Sequence, residues 1–234
     1  MEFIYATELK QRYQVYAHFY YLSVSKNKWL CRSVADIVDI SALSISEDDY
    51  LQRELISPPN AVVVMMNPGA ARPITSNTEA SSSVLTLNRT QLFDFNHHRR
   101  RLAVAPDNAQ YQLMRLMKRQ HWCHLRIINL SDLCEGNSQN FANLHKTVGA
   151  LDARHPESLL HQNRNTELDC YLQDVSKIIV AWGRQAVLRD TAKDFLNRYE
   201  NVVGLAGDYP WYRFASPYRK DQKLGWLQDI EANL

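Results

Sequence analysis

The chain is poor in the residues that mark several common protein classes. Only 7 of its 234 residues are glycine and 8 are proline, too few for a low-complexity or disordered chain. The 4 cysteines, Cys31, Cys123, Cys134 and Cys170, include no C-x-x-C pair. That argues against a zinc ribbon or a regular iron–sulfur site and leaves four reduced thiols. The 8 histidines form no H-E-x-x-H. His97 and His98 are adjacent and cannot face one metal from a regular strand or helix. No metal and no organic cofactor is expected. No apolar run approaches the roughly 18 residues of a membrane helix, so no membrane partner is expected. Met1–Lys10 carries Glu2 and Glu8 and no apolar stretch, so a cytoplasmic location is the expectation. Lys and Arg number 27 and Asp and Glu 25. A nucleic-acid partner therefore needs a local basic patch rather than a polycationic chain.

What is present is 45% hydrophobic residues in a length that suits one large domain. Tyr13, Val15, Ala17, Phe19 and Tyr21 alternate with more polar neighbours, as in a strand. Trp29 to Ile40 reads as a second strand, against which Asp36 and Asp39 count. Ser46 with the acids behind it starts a helix that Pro58-Pro59 stops. Residues 1–57 then form a small N-terminal β extension and a helix, and residues 58–234 an α/β core. In the core, Ala61–Met66, Leu125–Leu130, Ile178–Trp182 and Val202–Leu205 are short apolar runs, read as strands buried on both faces. Helices are expected at about 107–121, 157–175, 185–199 and from 221 onward, with an irregular loop at 70–106. Short buried strands alternating with helices predict a three-layer α/β/α fold around a mainly parallel four-stranded sheet.

Ligands in such folds bind beyond the carboxyl ends of the strands. Four features fall there. Asn67-Pro68-Gly69-Ala70 follows the first core strand; an Asn in a rigid turn can hold a water, although Asn-Pro also marks ordinary turns. Asn129 ends the second strand, where one donor and one acceptor can read a base edge or cap the strand. Trp182-Gly183-Arg184 joins the third strand to a helix, placing backbone N–H groups near a phosphate; Trp182 itself reads as core. Arg213-Phe214-Ala215-Ser216-Pro217-Tyr218-Arg219-Lys220 sets cations beside aromatics on a late loop, suited either to gripping a phosphate and wedging a duplex or to plain solvation.

In this order, across roughly residues 60 to 230, the four features resemble the uracil-DNA glycosylase superfamily. Asn67-Pro68-Gly69 is similar to the first motif of its mismatch-specific branch, G-I-N-P-G. Asn129 matches the end of the family's base-reading strand, and Ser216-Pro217 falls where the family has H-P-S-P or N-P-S-G. The Asp of the uracil-specific branch is absent from the first motif. Phe214 or Ser216 stands where the last motif has its His, and nothing matches the Tyr that crowds C5 of the base.

The resemblance implies hydrolysis of a base–deoxyribose bond after the nucleotide is flipped from duplex DNA. Asn67 would position the water. Pro68, Gly69, Ala70, Asn129, Phe214 and Ser216 would surround the base. Arg99, Arg100, Arg101, Tyr212, Arg213, Pro217, Tyr218, Arg219 and Lys220 would contact DNA, by a chain expected to act as a monomer. Small residues after Pro68 leave room for a 5-substituent. They point to a modified or bulky cytosine, such as the glucosylated hydroxymethylcytosine of phage DNA, removed in antiviral defence. Uracil or thymine-mismatch repair, and a non-catalytic nucleic-acid binder on the same fold, are the alternatives. A nucleotide-dependent enzyme is a weaker one, since neither G-x-G-x-x-G nor a Walker motif occurs, and no G-x-S-x-G marks a serine hydrolase.

Overall fold

The computed structural model describes residues 2–41, 58–74, 84–94 and 100–234. The helix expected from Ser46 lies outside them. A short helix, α1 (Ala6–Arg12), leads into two long strands, β1 (Tyr13–Val24) and β2 (Asn27–Asp39). Then come β3 (Ala61–Met65), β4 (Leu85–Leu87), α2 (Arg89–Phe93), β5 (Leu102–Ala103), α3 (Asn108–Gln120) and β6 (His124–Asn129). The remainder is α4 (Ser138–Leu151), α5 (Asn165–Leu172), β7 (Ile178–Val180), α6 (Arg189–Arg198), β8 (Val202–Gly204) and α7 (Lys220–Glu231).

The four core strands are parallel and lie in the order β6-β3-β7-β8. β3 is buried at every residue because both its edges are paired and both its faces are covered. Ala61, Val63 and Met65 point into one apolar cluster, with α3 and α7. Val62 and Val64 point into the other, with α4, α5 and α6.

The sheet is larger than the four strands expected. β2 pairs antiparallel with β6 and with β1, and β1 pairs parallel with β4 and antiparallel with β5, giving eight strands of mixed direction among the described residues. The N-terminal hairpin thus continues the core sheet. β1 is buried on both faces rather than one, since Val15, Ala17 and Phe19 pack into the first apolar cluster and Tyr20 and Leu22 into the second. A register shift between His18 and Phe19 leaves Ser33 as the extra residue of a bulge. It puts Arg32 opposite Phe19, on the face that the first cluster occupies.

Asp36, which argued against a strand, is fully buried in β2 because two guanidinium groups and an imidazole meet it. Arg126 Nε and His124 Nε2 lie 2.8 and 2.9 Å from its Oδ1, and Arg101 Nε lies 3.1 Å from its Oδ2. Asp39 is likewise buried and paired with Arg12. Arg126 and the other two hold the Asp36 carboxyl well below its ordinary range, against the effect of burial.

The segment 70–106 is less irregular than its composition suggests, since β4, α2 and β5 lie within it. The helix from 107 starts on Asp107, whose side chain caps Gln110 N at 2.8 Å, and ends on a left-handed His121. The helix expected over 157–175 is shorter. Its first residues turn instead, because Glu157 is drawn into the interior to bond His155, and α5 begins only at Asn165.

Candidate active site

The chain runs β3, β6, β7, β8, but the sheet reads β6-β3-β7-β8. The connection after β6 must therefore cross β3, which makes the carboxyl end of β3 the switch point where a crevice opens. A cavity of about 530 Å³ lies there, a size typical of small-molecule sites. The turn 66–70 forms one wall, and Trp182, Gly183 and Arg184 beyond β7 form another. The first turn of α3, Phe214 and Ser216 close it, with Arg32 and Ile127 also on its lining.

Asn67 is half-buried and firmly oriented. Its Nδ2 donates to the carbonyls of Glu135 and Leu133, at 2.7 and 3.1 Å. Both amide hydrogens are spent on carbonyls, so the amide orientation is determined. Oδ1 is left as the acceptor, without a hydrogen bond among the described residues. The segment that holds it is itself anchored: Asp132 accepts from Arg164 and from Tyr20, each at 2.7 Å, in the interior. After Asn67 the turn needs Gly69, whose φ is +64°. A Cβ there would lie 3.7 Å from Asp107 Oδ2, so the Asp107 carboxylate stands over the turn. Asp107 is the one carboxylate among the described lining residues. The sequence marked it only as a helix cap, a role that occupies its Oδ1.

Ser216 Oγ donates to the carbonyl of Asn108 at 3.1 Å, tying the late loop to α3. Phe214 is 42% exposed and packs beside Gly183, where a Cβ would lie 3.4 Å from Phe214 Cβ. Trp182 is buried and donates from Nε1 to the Pro210 carbonyl at 3.0 Å, with Phe195 and Tyr212 edge-on to its ring. It is core, as its composition suggested, and also lines the cavity.

Asn129 is not on the lining. It pairs with Met65, and strand alternation puts it on the same face as Ile127, which does line the cavity. It is 1% exposed, and neither its Oδ1 nor its Nδ2 has a partner. Two lining residues that sequence reasoning missed share that property. Arg32 is 3% exposed, its Nε is buried without a partner, and its guanidinium makes no hydrogen bond among the described residues. Burial lowers its pKa, opposed by the nearby Asp107 and Asp132; an arginine stays charged regardless. Gln110 is 2% exposed, with Oε1 on Asp107 N and Nε2 unpartnered. One signal was available: an arginine inside the run Trp29-Leu30-Cys31-Arg32 is a charge inside a strand.

The cations expected on DNA are mostly engaged within the protein. Arg101 is the clear correction: it is buried against Asp36, because an inward carboxylate of β2 needed counter-charge. Arg99 lies outside the described residues, and Arg100 is exposed. Arg213 pairs with Asp229 at 2.8 Å, and Arg219 with Asp221. Lys220 bonds Tyr5 and lies over the Phe3 ring. All three remain at the surface, where such pairs exchange easily. Tyr218 is 97% exposed and Pro217 half-buried, while Tyr212 packs on Trp182.

One group among the described residues has metal-ligand spacing: His145, His155 and Glu157, with donor atoms within 4.8 Å of one another. His145 and His155 stack at 4.0 Å with planes 15° apart. Each ring's lone pairs lie in its own plane, and the two planes are nearly parallel. Burial lowers His145 to about 4, and the hydrogen bond to Glu157 raises His155.

No family model matches this sequence, and no curated protein is similar enough to it to count as a relative. Among the described residues, no helix is long and apolar enough to cross a membrane.

Proposed function

We propose that the protein is a DNA glycosylase. It takes a flipped pyrimidine, a modified cytosine such as the glucosylated hydroxymethylcytosine of phage DNA, and leaves an abasic site as an antiviral defence. One observation carries the reading: Asn67 at the switch point, with both amide hydrogens bound to carbonyls and its oxygen without a hydrogen bond among the described residues. An acceptor held so rigidly suits the orientation of a single water. The reading takes the four parallel strands, with helices contributing to both faces, as the three-layer glycosylase-like core.

In the proposed reaction the water oxygen bonds to C1′ of the deoxyribose. The C1′–N1 bond breaks, and its electron pair leaves on the base. Asn67 Oδ1 accepts a hydrogen bond from that water, and the Asp107 carboxylate takes the proton and faces the positive charge developing on the sugar. Met65, Met66 and Phe214 supply apolar contact for the base ring. The exposed Ala70 leaves one rim open for a 5-substituent.

End-labelled duplexes carrying uracil, a thymine mismatch, 5-hydroxymethylcytosine or its glucosylated form test this, with alkali to reveal abasic sites. Strand breaks with the glucosylated base, absent in Asn67→Ala, are expected. Ready release of uracil with the glucosylated base untouched would replace the substrate. No breaks in any duplex, with binding retained, would favour a binding module.

A further inference from the structure

The cavity borders a buried cation that has the charges of Asp107 and Asp132 nearby but no hydrogen-bond partner among the described residues. Arg32 is 97% removed from solvent, on β2 where its backbone N–H bonds the Asp132 carbonyl at 2.8 Å. Each of the other fully or largely buried guanidinium groups has a partner. Arg164 meets Asp132 and Glu167, Arg126 and Arg101 meet Asp36, and Arg115 bonds the Ile4 carbonyl. The Arg32 guanidinium has none among the described residues, yet it borders the cavity. A buried cation without a hydrogen-bond partner is destabilising in the empty protein. Gln110 also lines the cavity, but its Nε2 is shut off from solvent and its Oε1 accepts from Asp107 N.

A ligand that answers this arrangement presents two adjacent acceptors at one edge, because a guanidinium donates as a planar fork. The remaining lining includes Ile127, Met65 and Trp182, which suit a flat ring better than a phosphate. Among pyrimidines, cytosine carries two neighbouring acceptors, N3 and O2. Uracil and thymine place an N–H between two separated carbonyls. Resting on the glycosylase reading above, we propose that Arg32 determines specificity by donating to N3 and O2 of a cytosine-type base. The same contact then faces O2, where negative charge gathers as the C1′–N1 electron pair leaves with the base.

The test compares two duplexes, each holding a hydrolysis-resistant 2′-fluoroarabino nucleotide opposite an abasic analogue. One carries cytosine and the other uracil, so the cost of unpairing is the same for both. Fluorescence anisotropy gives the ratio of the two dissociation constants. The wild type is expected to bind the cytosine duplex at least about tenfold more tightly, the value of one good charged hydrogen bond. In Arg32→Met and Arg32→Gln the ratio should fall to near one. Arg32→Met should melt no lower than the wild type, which separates a ligand-directed arginine from a structural one. No preference in the wild type, a preference for uracil, or a ratio unchanged in the variants would overturn the assignment. Competition by inorganic phosphate with equal effect on both duplexes, and no base preference, would assign Arg32 to a phosphate instead. Base release from natural DNA with no discrimination between analogues would remove the Arg32 assignment alone. Discrimination without any base release would remove the glycosylase reading alone.

Discussion

Exchanging Asn67 for Asp changes one nitrogen for one oxygen, with a result opposite to what isosterism suggests. The amide of Asn67 donates at 2.7 Å to Glu135 O and at 3.1 Å to Leu133 O. A carboxylate at the same place offers no donor and sets its charge against two carbonyl oxygens. Losing two hydrogen bonds costs about 1–3 kcal/mol in total. The repulsion adds roughly 1 kcal/mol at most, since the site is half-exposed and water screens it. The expected loss is about 1–4 kcal/mol, or roughly 2–16 °C in Tm for a chain of this size. Asn67→Ala loses the same bonds without the repulsion and lets water reach the carbonyls, so it should lose less, about 1–2 kcal/mol. Urea denaturation of the two variants beside the wild type checks the order. If Asn67→Asp were as stable as the wild type, or more stable than Asn67→Ala, the amide would not be oriented as described. Oδ1 would then not be the group left for water.

Asp36→Ala should cost about 3–5 kcal/mol in chemical denaturation, because it strands Arg101 and Arg126 in the interior without a counter-charge and takes a partner from His124. Arg101→Ala should lower stability while leaving the salt dependence of DNA binding unchanged; a lost phosphate contact would instead flatten the slope. Gly204→Ala puts a Cβ 2.5 Å from Tyr212 Cδ1 and 2.7 Å from the Val180 carbonyl. It should destabilise by about 1–3 kcal/mol through overpacking, as thermal melting would show. The histidine pair gives a pH dependence of two signs. Burial lowers His145 from 6.5 to about 4, so its contribution is full above pH 6.5 and is lost as pH falls from 6.5 towards 4. Its hydrogen bond to Glu157 raises His155 above 6.5, so that contribution is full below pH 6.5 and lost as pH rises through the raised value. His145→Gln should therefore flatten the decline of stability between pH 6.5 and 4, measured by denaturation at each pH.

The four core strands were legible because each is a short apolar run; β3, β6 and β7 are buried on both faces as expected, while β8, at the sheet's edge, is only half-buried. The capped start of α3 was legible because Asp107 and Gln110 stand at the spacing of a capping box. The hairpin's place in the sheet was not, since local alternation says nothing of which strand β2 joins. Asp36 shows why: its burial depends on Arg101, Arg126 and His124, each far away in sequence and each ordinary alone. At the site, Asn67, Pro68, Gly69, Ala70, Phe214 and Ser216 meet at one cavity. Arg32 and Asp107 joined them unannounced. The position of Arg32 rests on a bulge and a non-local strand pairing, and Asp107 already had a sufficient local role as a cap.

The most direct test is the small-molecule fraction after incubation with glucosylated phage DNA, read by mass spectrometry for wild type and Asn67→Ala. The account predicts free glucosylated hydroxymethylcytosine from the wild type, matched by abasic sites in the DNA, and none from the variant. Intact DNA and no free base from either protein, with the DNA still bound, would contradict it.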